Sequence, residues 1–145
     1  MKRLTVGKII LSVVAVFGIV TPYLADWNVT HIYNPTWPPH AKFHNAQTML
    51  LGTLLGLLAL WFLWRRRTDK ATLQVAVIFV SLFWVSQAGS ILFPGTAFAD
   101  PGYDSRPTIS GFKPNQDMLD AIILAVIYGG YALSKQGLAK QKTGK

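Results

Sequence analysis

The sequence predicts an all-α fold: a four-helix transmembrane bundle with the N- and C-termini on the cytoplasmic side. Three observations predict it. Four apolar runs occur at about 6–25, 48–64, 71–93 and 118–134, each near the ~20 residues (about 17–25) that carry a helix across a bilayer. Charged residues make up only 14 % of the chain, against about a quarter in an ordinary soluble domain. Eleven of the fourteen Lys and Arg fall at the start, in the second connection or in the tail. That asymmetry places those three segments in the cytoplasm and the two longer connections, about 26–47 and 94–117, outside. The chain reads as one integral membrane domain over 1–145.

The first run, VGKIILSVVAVFGIVTPYLA, follows Lys2, Arg3 and Lys8. It has the outline of a signal peptide, but Tyr23 stands where a small residue should precede a cleavage site, and the apolar stretch is long for a signal core. It is therefore read as a retained helix ending between Pro22 and Ala25. Asp26, Trp27 and Tyr33 then lie at the outer interface, a depth that suits the amphipathic rings of Trp and Tyr. In NPTWPPHAKFHN, residues 34–45, the prolines impose extended or turn geometry on the residues before them. Proline also suits a first helical position, so Pro38 or Pro39 starts a helix that runs through HAKFHNAQ into the second span.

Gly52 and Gly56 form a small-xxx-small pair on that span, the pattern of a close helix contact. The turn RRRTDK anchors the topology. Gln74, Ser81, Ser86, Gln87 and Ser90 are the polar groups of the third span. The second outer connection is rich in Pro and Gly and carries Asp100, Tyr103, Asp104, Arg106 and Lys113, so it can roof the first. Asp117 and Asp120 open the fourth span, where Gly129 and Gly130 permit a close approach or a bend, and a basic tail covers 135–145.

The net charge of +8 does not point to nucleic acid, because the positive charges are arranged for a membrane. The chain has no Cys, which excludes disulfides and thiolate metal sites. The polar residues at one depth define a candidate site at the outer interface. His40 and His44, one helical turn apart, are its candidate acid–base pair, with Asp120 as a third candidate catalytic residue. Asp26, His31, Trp37, Gln47, Gln87 and Asp117 are candidate ligand-binding residues. His40, His44 and His31 are also candidate metal ligands, although the Glu that completes a zinc-protease helix is absent. Three alternatives stay open for the pair: interfacial hydrogen bonding, acid–base or ligand chemistry, and metal ligation. Asp117 and Asp120 equally suit the positive end of a helix. The expected partners are the lipid bilayer, a lipophilic small molecule and a membrane protein partner. A small accessory subunit of a larger complex is the alternative function. Transport ranks last, because the spans lack Gly/Pro-broken stretches in matching positions. The membrane is of the bacterial inner or endoplasmic reticulum type.

Asn34, Pro35, Trp37, Pro38, Pro39, His40, Ala41, Lys42, Phe43 and His44 carry a resemblance. The chain resembles a group of small uncharacterised four-span membrane proteins in which an N-P-x-W-P-P-H-A-[KR]-F-H segment joins the first two spans. The resemblance implies a shared architecture and no particular activity.

Overall fold

The computed structural model describes residues 2–100, 102, 104 and 108–143. The fold is all-helical: α1 (Lys2–Asp26), α2 (Pro39–Trp64), α3 (Lys70–Ser90) and α4 (Gln116–Thr143), running alternately up and down. All four are long and apolar enough to cross a membrane. The helix α1, with 25 residues, is about 37 Å long at 1.5 Å per residue. Against the sequence expectation, α1 continues through Pro22 to Asp26 and α4 continues to Thr143. Tyr103, Arg106, the Lys142 side chain and Lys145 lie outside the described residues.

Local chemistry sets the helix starts. Pro39 occupies the first turn of α2, where its missing N–H costs nothing. Asp69 caps α3 by accepting the Thr72 amide at 2.7 Å. That bond, above all other influences, holds the Asp69 carboxyl below the usual carboxylate range. Asn115 Oδ1 accepts the Met118 amide at 3.1 Å at the start of α4. The cap is therefore Asn115, while Asp117 sits in the first turn.

The helices form a ring in which α1 and α3 each pack against α2 and α4, with α1 and α3 also touching across the diagonal. Leu11, Ala15, Leu63, Leu73, Ala76 and Trp84 are fully or almost fully buried along its axis. Glycine makes the close approaches. A Cβ on Gly52 would stand 2.8 Å from the Gly18 carbonyl, and one on Gly56 would meet Ile19 and, at 2.8 Å, the Ala15 carbonyl. Pro22 has no N–H to give the Gly18 carbonyl, the backbone oxygen that Gly52 meets. Large apolar side chains also cover the outside: Leu24 is 76 % exposed, Trp61 69 % and Val13 63 %.

At the end carrying the chain termini, Lys8 is buried yet keeps its ammonium satisfied. Its Nζ donates to Thr68 Oγ1 at 3.2 Å and lies 4.5 Å from the centre of the Trp64 ring. The long stem lets the charge reach the RRRTDK turn from an apolar helix. The other end of the bundle carries the two long connections and most of the unusual polar chemistry.

Candidate functional site

The first connection is built by two asparagines. Asn28 Oδ1 accepts both the amide and the hydroxyl of Thr30, at 2.8 and 2.6 Å. Asn34, 1 % exposed, repeats the pattern with Thr36 at 3.0 and 2.8 Å. Asparagine side chains make such turns because the side-chain carbonyl reaches the amide two residues on. These turns hold His31 against Trp37, ring centres 5.1 Å apart, with Thr30 Oγ1 2.7 Å from His31 Nδ1. His31 Nε2 stands 3.7 Å from Asp26 Oδ1, and Asp26 Oδ2 accepts from Asn45 Nδ2 at 2.7 Å. Asp26 thereby ties the end of α1 to the start of α2. Trp37 Nε1 donates to Asp100 Oδ2 at 3.3 Å, tying the two connections together.

His40 and His44 form a separate pair on α2. Their Nε2 atoms are 3.0 Å apart, and His44 Nδ1 lies 3.1 Å from Gln47 Oε1. With Gln47 Oε1 as acceptor, His44 holds its proton on Nδ1, so its Nε2 accepts from His40 Nε2. All three side chains are exposed. Among the described residues, no three His or Asp side chains gather in a metal-binding group, and His31 is held at Asp26 instead of joining the pair.

A cavity of about 380 Å³ opens between the helices at the same end. Its apolar wall includes Phe17, Leu24, Phe83, Trp84 and Leu119, and its polar groups are Thr21, Asp26, Thr48, Gln87 and Gln116. Trp84 lies six residues from the end of α3 and Phe17 nine from the end of α1, so the cavity reaches about 9–13 Å down the helices. Leu24 and Leu119 are exposed and stand at its rim. Thr21 Oγ1 donates to the Phe17 carbonyl at 2.8 Å and Thr48 Oγ1 to the His44 carbonyl at 3.0 Å. Gln116 Nε2 is 3.4 Å from Asp120 Oδ1, a long contact.

Asp120 is fully buried, five residues into α4 and past the reach of capping. Its Oδ2 has no hydrogen-bond partner; nor do the buried Asn45 Oδ1, Gln87 Oε1 and Asp117 Oδ1. Buried polar atoms are nearly always paired, so four open oxygens at one end of a small bundle call for an explanation.

The expected site thus divides. Asp26 and Gln87 line the cavity, and Asp120 reaches it through Gln116. Asp117, in the first turn of α4, is not among the lining residues. His31 and Trp37 belong to the connection above Asp26, while His40, His44 and Gln47 form their own exposed group and do not line the cavity. Sequence reasoning missed Gln116, Thr48 and Phe17. Gln116 was legible as the residue one turn before Asp120. Phe17 resembled any other residue of an apolar helix.

These features define a class: a four-helix protein with membrane-capable helices and a polar-lined cavity at one end of the bundle. The chain belongs to DUF6640, a family of unknown function, whose model matches residues 10–145. The expectation of an uncharacterised family holds at that level. No curated protein and no solved structure matches the chain.

Proposed function

We propose that this is an integral, multi-pass membrane protein that binds a lipophilic small molecule in the cavity at the outward-facing end of its bundle. The observation that carries the reading is an apolar-walled cavity whose lining includes the carboxylate of Asp26 and the amides of Gln87 and Gln116. About 380 Å³ is at the small end of the ~300–1,000 Å³ typical of ligand sites. Intramembrane polar groups are costly and mark sites that face a cavity. The apolar residues covering the outside of the bundle support a lipid environment. The concentration of Lys and Arg at the other end supports an outward-facing cavity.

In this reading Asp26 and Gln87 provide the polar contacts, Gln116 is held by Asp120, and the linked connections cover the entrance. The His40–His44 pair lies outside the binding surface. A compact lipophile, 1-ethylnaphthalene, should bind the detergent-solubilised protein saturably and with one-to-one stoichiometry. Leu119→Trp, which fills the rim, should weaken binding by roughly tenfold, the effect of losing ~1.4 kcal/mol of contact. His40→Ala with His44→Ala should leave the affinity unchanged within about twofold. Non-saturable uptake equal in parent and Leu119→Trp would remove the reading.

The orientation has its own test, helped by the lack of native Cys. A membrane-impermeant thiol reagent should label Ala97→Cys on intact cells or sealed vesicles of native orientation. Arg66→Cys should react only after permeabilisation. The reverse pattern would invert the bundle and place the cavity in the cytoplasmic half.

A further inference from the structure

The hydrogen-bonding balance of the cavity restricts its ligand. The protons of Thr21 and Thr48 are already given to backbone carbonyls, and the Gln116 amide points toward Asp120. Asp26 supplies the open acceptors, since each of its oxygens has a second lone pair available; Gln87, whose Oε1 is buried without a partner, lines the cavity with an amide that carries both acceptor and donors. No Lys or Arg is among the lining residues. The bonded partner of the Asp26 carboxylate is the neutral Asn45 amide, and His31 is 3.7 Å away.

One further feature favours positive charge. Phe17, which lines the cavity and is 42 % exposed, stacks on the buried Trp84 and gives the cavity an aromatic ring that attracts a cation. The helix dipoles do not add to this, because the negative end of α1 and the positive end of α4, at Gln116 and Leu119, both lie at the cavity. A cavity with a carboxylate, an accessible aromatic ring and no Lys or Arg in its lining fits a ligand that donates hydrogen bonds and carries positive charge on an apolar body.

We propose that the cavity binds a compact lipophilic amine in its protonated form, with its N–H groups on Asp26 and on Gln87, whose amide turns its oxygen to the ligand, and its charge beside Phe17. This rests on the reading of the cavity as a ligand site. It adds the chemical class.

The experiment compares 1-naphthylmethylamine with 1-ethylnaphthalene, a near-isostere without charge or donor, by titration of the detergent-solubilised protein followed by naphthalene fluorescence. Leu119→Trp serves as the control for partition into the micelle. The amine should bind the parent at least roughly tenfold more tightly, the scale of a hydrogen bond to a charged group. Asp26→Asn, which keeps an acceptor for Asn45, should remove that preference while leaving 1-ethylnaphthalene binding in place. Gln87→Leu should shrink the preference severalfold and supplies the test if Asp26→Asn folds poorly. Equal affinity of the two probes for the parent would overturn the amine assignment and leave the cavity reading standing. So would a preference that survives both substitutions. Binding of neither probe would overturn both.

Discussion

Gly7→Val should destabilise the bundle by about 3 kcal/mol or more, enough to lose most of its folded population in mild detergent. A Cβ on Gly7 would meet Ser134 Oγ and the Gly130 carbonyl, with the Ser134 amide at 2.7 Å. Two of these are backbone groups, which no rotamer change can move aside. Valine adds a branched side chain to that position, so α1 and α4 must separate along their length. Gly56→Val meets a similar obstacle in the Ala15 carbonyl and should cost about 2 kcal/mol or more. Gly129 is the internal control, because a Cβ there meets nothing within 4 Å. Gly129→Ala should be neutral or should gain up to about 1 kcal/mol from helix propensity. Reversible unfolding of the purified protein, followed by helical circular dichroism, measures all three. Equal effects at Gly7 and Gly129 would show that the α1–α4 contact is not glycine-mediated.

Asp120→Leu should have the opposite sign, raising stability by about 1–2 kcal/mol. A buried polar group with an oxygen left unpaired costs about 1–3 kcal/mol, and leucine has a similar size without that cost. The gain is reduced because Gln116 loses its acceptor. The same change should weaken ligand binding by several-fold, because Asp120 orients the amide of Gln116 at the cavity wall. A residue retained at a cost to stability, whose removal stabilises the fold and impairs binding, is the pattern expected where function sets the choice. The unfolding measurement used for the glycines, together with the naphthalene titration, reads both effects. A loss of stability of more than about 1 kcal/mol would instead make Asp120 a structural contact.

The architecture was legible because its signals are collective. Four long apolar runs make the helices evident even though no single residue is decisive. The start of α2 was legible from Pro38-Pro39, where proline chemistry narrows the choice to two positions. Gly52 and Gly56 were readable from their spacing, but Gly7 was not, since its partners Gly130 and Ser134 lie on a helix more than 120 residues later. Periodicity says which residues share a face and is silent on which face meets which helix. The same limit governed the site. The i, i+4 spacing of His40 and His44 correctly placed the two rings together, and their Nε2 atoms are 3.0 Å apart. It did not say that this face turns away from the cavity. Asp26 was a candidate ligand-binding residue by its depth alone, and only the arrangement of Asn45, His31 and the α1 terminus makes it the cavity's carboxylate. Asn28 and Asn34 carried no site signal in the sequence; the structure uses both to set the connection that covers Asp26.

The most direct test of the cavity as a ligand site is to map where a lipophilic probe reacts. A naphthylalkyl amine bearing a photoreactive diazirine, irradiated with the protein in lipid nanodiscs, would modify residues within van der Waals reach, and peptide mass spectrometry would locate them. Modification should concentrate on Leu24, Phe83 and Leu119, be competed by 1-naphthylmethylamine and be lost in Leu119→Trp. Modification spread evenly over the exposed apolar surface at Val13, Leu54, Leu57 and Trp61, without competition, would contradict it.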